Sequence, residues 1–294
     1  MITIDRKKYR KKKKIENIIE KTFLVSALVS ILSLLLIMIF IFGKGAPAIN
    51  KIGLSNFIFG LNWEPSADIY GIFPMILASL YVTFGAIVIG VPIGVFTAIF
   101  LSEIAPKWLG KIVESAVQLL AGIPSVIYGF FGLLVIVPLI DKYYGGGGNS
   151  ILAAIIILSA MILPTIITIS ENAIKAVPKE YKEGSLALGS SEIQTIFKVI
   201  LPAAKSGILT SVVLGIGRAI GETMAVILVI GNTVQLPSSI LDRARTLTAN
   251  IAIEMGYAYG LHQEALFATG VILFIFIMII NFILNFLIID RNSN

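Results

Sequence analysis

Thr22 to Phe42 reads TFLVSALVSILSLLLIMIFIF, 21 residues without a charge. A helix rising about 1.5 Å per residue needs about 20 apolar residues to cross a hydrocarbon core about 30 Å thick. The stretch therefore predicts a membrane-spanning helix. The small residues Gly45-Ala46-Pro47-Ala48 that follow are of the kind found at a signal-peptidase site. The apolar run, however, exceeds the roughly 7–15 residues of a secretory signal core, so an uncleaved first span is expected.

Five more apolar stretches follow: Ile69–Ser102 with Pro74 and Pro92, Ser115–Ile140 with Pro124 and Pro138, Asn149–Ser170 with Pro164, about Ser206–Ile230, and Ala265–Ile289. Continuous apolar runs, rather than alternation, predict helices rather than barrel strands. Composition agrees: 57% of the 294 residues are apolar and only 14% charged, where soluble chains carry about 25%. The fold class is an all-α integral membrane protein with six transmembrane helices.

Charge sets the expected orientation. Seventeen of the 23 lysines and arginines lie on the N-terminal side of the membrane in this topology, five on the other side, and Arg218 within a span. By the positive-inside rule both termini are expected in the cytoplasm. The expected layout is a basic cytoplasmic segment (1–21), the first helix (22–42), an external loop (43–68), a core transmembrane domain (69–289) and a short cytoplasmic C-terminus (290–294). The run RKKYRKKKKIENIIEK (Arg6–Lys21) fits an anchor beside anionic lipid better than a nucleic-acid arm. No nucleic-acid partner is expected; the bilayer is the partner.

Several chemistries are excluded. There is no cysteine and only one histidine, His262, so thiolate nucleophiles, Cys-based metal sites and a histidine cluster are absent. The glycine run YYGGGGNS (Tyr143–Ser150) lacks the Gly-Lys-Ser/Thr of a phosphate-cradling loop. The chain is not expected to hydrolyse ATP, or to hold a cofactor or metal. His262 is expected in an outer loop without chemistry, and Trp63 as an interfacial anchor or a contact for another protein.

The inner segment ENAIKAVPKEYKEGSLALGSSEIQTIFKVILPAAK (Glu171–Lys205) is too long for a turn. Ile193, Ile196, Phe197, Ile200 and Leu201 recur at helical spacing, and Gly189 with two serines interrupts the pattern. A helix, a turn and a second helix on the cytoplasmic face are predicted. This segment resembles the EAA motif of membrane subunits of binding-protein-dependent ABC importers. Glu183, Gly184, Ser185, Gly189, Val199, Leu201 and Pro202 stand at the motif positions, with Gly184 and Ser185 for two alanines and Val199 for isoleucine. The resemblance implies a coupling loop, at about 171–205, that seats in an ATPase subunit.

Within the fifth stretch, LGIGRAIGETMAV (Leu214–Val226) places Arg218 and Glu222 four residues apart. A charge at mid-membrane costs about 2.5–3.5 kcal/mol on insertion scales. On a continuous helix the two share a face and neutralise each other in part. Gly217 and Gly221 form a small-xxx-small pair that admits a close neighbour. A structural ion pair is one reading. The other is an anion site, because a guanidinium fork matches a tetrahedral oxyanion, with Glu222 occupying the arginine when no substrate is present.

AGIPSVIYGFFGLLVIVP (Ala121–Pro138) and GIGRAIGETMAVILVIGN (Gly215–Asn232) together resemble the permease family of the bacterial phosphate importer, the PstC type more than the PstA type. NWEPSADIYGIFP and VPIGVFTAIFLSEIAP fit the same family. The resemblance implies the type I ABC importer permease fold and a translocation path for inorganic phosphate past Arg218 and Glu222. Pro124 and Ser125 are further path residues, since prolines break helices near such paths. It also implies four partners: a sister permease (PstA type), two copies of an ATPase (PstB type) that bind ATP and magnesium, and an external phosphate-binding protein (PstS type). Sulfate or molybdate transport, and a scaffold without transport, are the alternatives.

Overall fold

The computed structural model describes residues 6–289. The expected C-terminal segment 290–294 and residues 1–5 of the basic segment lie outside them. Six stretches are helical, long and apolar enough to cross a membrane: Ile15–Ile52, Phe73–Ile104, Ser125–Tyr144, Ile151–Lys175, Glu192–Gly221 and Gly260–Phe282. Their number and order agree with the sequence. Their boundaries differ in two places that bear on function. The third span begins at Ser125 rather than Ser115, and the fifth ends at Gly221 rather than Ile230.

Helix α1 runs from Arg6 to Ile52, well past the 22–42 segment expected, so the loop expected from residue 43 starts at Gly53. Its last turns pack on the final helix, α13 (Gly260–Ile289). The residues at 45–48, expected as an imitation of a cleavage site, are helical, and Gly45 and Ala48 are buried. A Cβ on Gly45 would lie 2.8 Å from the Ala268 backbone nitrogen. Phe40 meets Phe267 edge-on at 5.6 Å just beside this crossing. The small residues thus serve close helix approach. Gly45→Leu is expected to wedge α1 from α13 at a cost of about 1–3 kcal/mol. A lowered unfolding temperature in detergent would report it, and an unchanged one would show that the crossing is loose.

The core is built around α7 (Ile151–Lys175), whose apolar residues are buried on most of its faces. Helix α3 (Phe73–Ile99) lies against it through glycines: side-chain atoms of Ile162 and Ile166 come within 2.7 Å of where Cβ atoms on Gly90 and Gly94 would stand. Helix α10 (Leu201–Gly221) packs on α7 too, and Ser170 and Ser211 share a buried hydrogen bond of 2.7 Å between them.

Three helices widen into a π turn, at Phe100–Ile104, Gly132–Ile136 and Ile196–Ile200. Each π turn ends two residues before a proline: Pro106, Pro138 and Pro202. A proline ring collides with the carbonyl four residues earlier. That carbonyl belongs to Ser102, Leu134 or Lys198, inside the widened turn in every case. The wider turn gives the ring room without ending the spans at 138 and 202.

On the far side from the coupling loop, α2 (Leu54–Phe59) and a two-residue hairpin, β1 (Trp63–Glu64) with β2 (Ile69–Tyr70), form a cap. The cap is held through α12 (Leu247–Glu254). Glu254, 6% exposed, accepts from the Trp63 indole at 2.8 Å and from Arg245, and pairs with His262 at 2.8 Å. Tyr70 stacks on His262 at 6.2 Å and donates to Asp68 at 3.2 Å. Burial first, and Asp68 second, push the Tyr70 hydroxyl up to about 12, so it stays a neutral donor. Trp63 is therefore neither a lipid anchor nor a free docking contact: it is buried. His262, expected to do nothing, helps satisfy a buried carboxylate.

Candidate translocation site

Two of the membrane-crossing paths are broken, and the breaks come together. Helix α4 (Lys107–Gly122) ends before Ile123 and Pro124, both extended, and α5 (Ser125–Phe131) restarts the path. Proline disfavours the helical conformation in the residue before it, which stops α4. The Tyr128 hydroxyl donates to the Leu120 carbonyl at 2.9 Å, satisfying the end of α4. Helix α10 likewise ends at Gly221, and α11 (Met224–Ile230) restarts after Glu222 and Thr223. Helices α5 and α11 cross closely, with the site of a Gly129 Cβ only 2.7 Å from the Ala225 Cα.

This geometry corrects the expected Arg218–Glu222 pair. A shared helical face requires an unbroken helix, but Glu222 sits past the helix end at φ −71° and ψ 127°. Its Oε1 instead accepts from the Ala225 backbone N–H at 3.2 Å, satisfying one free donor in the first turn of α11. Its carbonyl accepts from the Thr248 hydroxyl of α12 at 3.3 Å. No ion pair forms between Arg218 and Glu222 among the described residues.

Arg218 is exposed, and its hydrogen-bond partner among the described residues is the Thr165 hydroxyl of α7 at 3.3 Å. Gly217 and Gly221 face open space rather than another helix of this chain, and so does Gly122 at the other break. Pro124 is exposed and Ser125 half-buried beside them in sequence. A guanidinium with most of its five N–H groups unpaired, within an apolar span, is prepared to meet an anion, water or another chain. The sequence did not single out Thr165: one hydroxyl in an apolar run carries no signal until the fold sets an arginine beside it.

The segment at 171–205 forms the predicted helix, turn and second helix. Helix α8 (Lys179–Ala187) leads to Gly189, whose φ of +88° suits glycine, and then to α9 (Glu192–Thr195). Ser191 and Gln194 form a capping box at the start of α9. The helical pattern splits by face. Ile196 and Ile200 are buried against Ala98, Ile99 and Ile174, whereas Ile193 and Phe197 are exposed. With Tyr181, Leu186 and Leu188 they leave an uncovered apolar ledge. Glu183, Gly184 and Gly189 are exposed on the same element, and Ser185 bonds Thr195 at 2.9 Å. Leu201 is half-buried and Pro202 exposed, at the start of α10. Lys182 ties α8 to Glu103 at 2.6 Å, so the ledge is fixed to the membrane core.

Helices broken in the span around an exposed arginine, with an apolar ledge at one end, fit a membrane transport subunit. The chain belongs to the family of binding-protein-dependent transport system inner membrane components, whose model matches residues 90–292. It is 42% identical over 268 residues to the probable ABC transporter permease protein YqgH of Bacillus subtilis, covering 87% of each chain. It is 34% identical over 295 residues to the phosphate transport system permease protein PstC of Haemophilus influenzae, covering 94% of this chain and 93% of that one. Among solved structures, a bacterial alginate ABC transporter is similar in fold (TM-score 0.63, 17% identity, 92% of this chain and 95% of that one). The MetNI methionine ABC transporter is similar as well (TM-score 0.57, 23% identity, 78% of this chain and 99% of that one).

Proposed function

We propose that this chain is a membrane-spanning permease subunit of an ATP-driven importer and forms part of the path by which inorganic phosphate enters the cell. The observation that carries this reading is Arg218: a cation within a span, held by one neutral hydroxyl and open beside two broken helices. Several PstC phosphate permeases are 34–35% identical over most of the chain, which supports phosphate as the cargo.

Glu222 favours phosphate over sulfate. Near neutral pH phosphate keeps a proton on oxygen and needs an acceptor for it, whereas sulfate has no proton to donate. Glu222 spends Oε1 on the Ala225 N–H, and its Oε2 has no hydrogen-bond partner among the described residues. That second oxygen supplies an acceptor one residue past the helix that carries Arg218.

The apolar ledge of Tyr181, Leu186, Leu188, Ile193 and Phe197 is the surface for the ATPase subunits, which supply the ATP chemistry this sequence lacks. A sister permease covers the open glycine face at 122, 217 and 221, and an external phosphate-binding protein delivers substrate at the cap. Both termini lie in the cytoplasm. Closure of the ATPase dimer draws the coupling segments together, and the path opens outward. Phosphate passes Arg218, and hydrolysis reopens the path inward.

Radiolabelled uptake by the reconstituted complex tests the reading. Phosphate is expected to accumulate with ATP, and sulfate and molybdate are not. Equal uptake of sulfate would overturn phosphate as the cargo.

A further inference from the structure

We infer that Thr165 is a second direct ligand of the travelling oxyanion, donating through its hydroxyl beside the Arg218 guanidinium. This rests on the proposed path at Arg218 and deepens it.

A threonine within a helix ordinarily spends its proton on the carbonyl four residues earlier. Thr97, Thr210 and Thr269 of this chain do so, donating to Ile93, Ser206 and Ala265 at 2.7, 2.8 and 2.9 Å. Thr165 does not. Its Oγ1 accepts from Arg218 Nη1 at 3.3 Å and makes no other hydrogen bond among the described residues. Accepting from a cation orients the lone pair toward the arginine and leaves the hydroxyl proton free.

Placement supports the assignment. Thr165 sits on α7, the most buried of the spans, between buried Pro164 and buried Ile166. Such a residue is held by packing on both sides while its own side chain stays half-exposed toward Arg218. A donor on a rigid element costs little reorganisation when an anion arrives. Arg218 sits three residues before the end of α10, at a helix break. The arginine and threonine therefore come from two different helices, and one anion bridging them senses the relative position of α7 and α10. At 3.3 Å apart, the two groups can both reach one small tetrahedral anion. Glu222, engaged with Ala225, does not compete for the arginine in this arrangement.

The test uses the complete importer in proteoliposomes with radiolabelled orthophosphate. Thr165→Val keeps the shape and deletes the donor. It is expected to lower uptake about tenfold, the effect of one hydrogen bond to a charged group. Thr165→Ser is expected to restore uptake to within about twofold. The absence of cysteine in this chain permits a second readout that a purely structural hydroxyl would not move. In Thr165→Cys, phosphate without ATP is expected to slow labelling by a small thiol reagent severalfold, and sulfate is not. Normal uptake by Thr165→Val alongside failure of Arg218→Gln would overturn the role of Thr165 and leave the path standing. Normal uptake by both variants would overturn the path itself. Labelling indifferent to phosphate, or no labelling at all, would overturn direct contact at 165.

Discussion

Arg218→Gln is expected to lower phosphate uptake by the reconstituted importer at least about a hundredfold while the complex still assembles. A guanidinium offers two parallel charge-assisted bonds to an oxyanion. Hydrogen bonds to charged groups contribute about 1.5–3 kcal/mol each, and about 1.4 kcal/mol is tenfold. Losing two therefore costs a factor of about a hundred or more. Assembly is spared because the side chain holds little in place: its hydrogen-bond partner among the described residues is Thr165. The coupling ledge is remote as well. Pro202 and Arg218 lie at the two ends of α10, which at about 1.5 Å per residue separates them by about 24 Å. Association with the ATPase should thus be unaffected. Arg218→Lys should fall between, because it retains the charge but not the planar fork. Full uptake by the glutamine variant, measured in liposomes, would remove Arg218 from the path.

The six spans were legible because a long apolar run announces itself without reference to any partner. Pro124 was legible as a break for the same local reason: its ring restricts the residue before it. The second break was not. GRAIGETM contains no proline, and a continuous helix was the simplest reading, so Arg218 and Glu222 were placed on one face. What ends α10 is a set of contacts spread along the chain: the Glu222 carboxylate on Ala225 and the Thr248 hydroxyl on the Glu222 carbonyl. The segment at 171–205 was read well in outline as helix, turn and helix, since Gly189 and the two serines after it are local signals. Which of its apolar residues face outward was set by α3 and α7, and no periodicity within the loop distinguishes Ile193 from Ile196. Trp63, Arg245, Glu254 and His262 were further beyond reach. The indole and its carboxylate are 191 residues apart, and each of the four looks like an ordinary loop residue on its own.

Glu254→Ala is expected to destabilise the protein by about 3–5 kcal/mol, the effect of removing one partner from a buried ion pair. The carboxylate is 6% exposed and its three donors converge from the cap hairpin, the loop before α12 and the start of α13. Without it, the Arg245 guanidinium, whose side chain is only 15% exposed, keeps the Asn232 carbonyl and Asn250 Oδ1 but loses its counter-charge. The Trp63 indole N–H, 2.8 Å from the carboxylate, is left inside without an acceptor, which alone costs about 1–3 kcal/mol. Glu254→Gln retains one acceptor oxygen and should cost less than alanine. The unfolding temperature in detergent should fall in the order wild type, glutamine, alanine, and cleavage of the 60–72 segment by an externally added protease should rise in the same order. A double-mutant cycle then separates the bond from general packing: Trp63→Phe should cost much less in the Glu254→Gln background than in the wild type, because the acceptor it serves is already weakened. Additive costs would mean that the indole and the carboxylate act independently. In that case the cap would be held by the aromatic contacts of Trp63, Tyr70 and His262. Because α12 also carries Thr248, loosening its far end should reach the Glu222 break as well. Glu254→Ala should therefore reduce phosphate uptake even at temperatures where the protein remains folded, whereas an effect on stability alone would leave that low-temperature uptake intact.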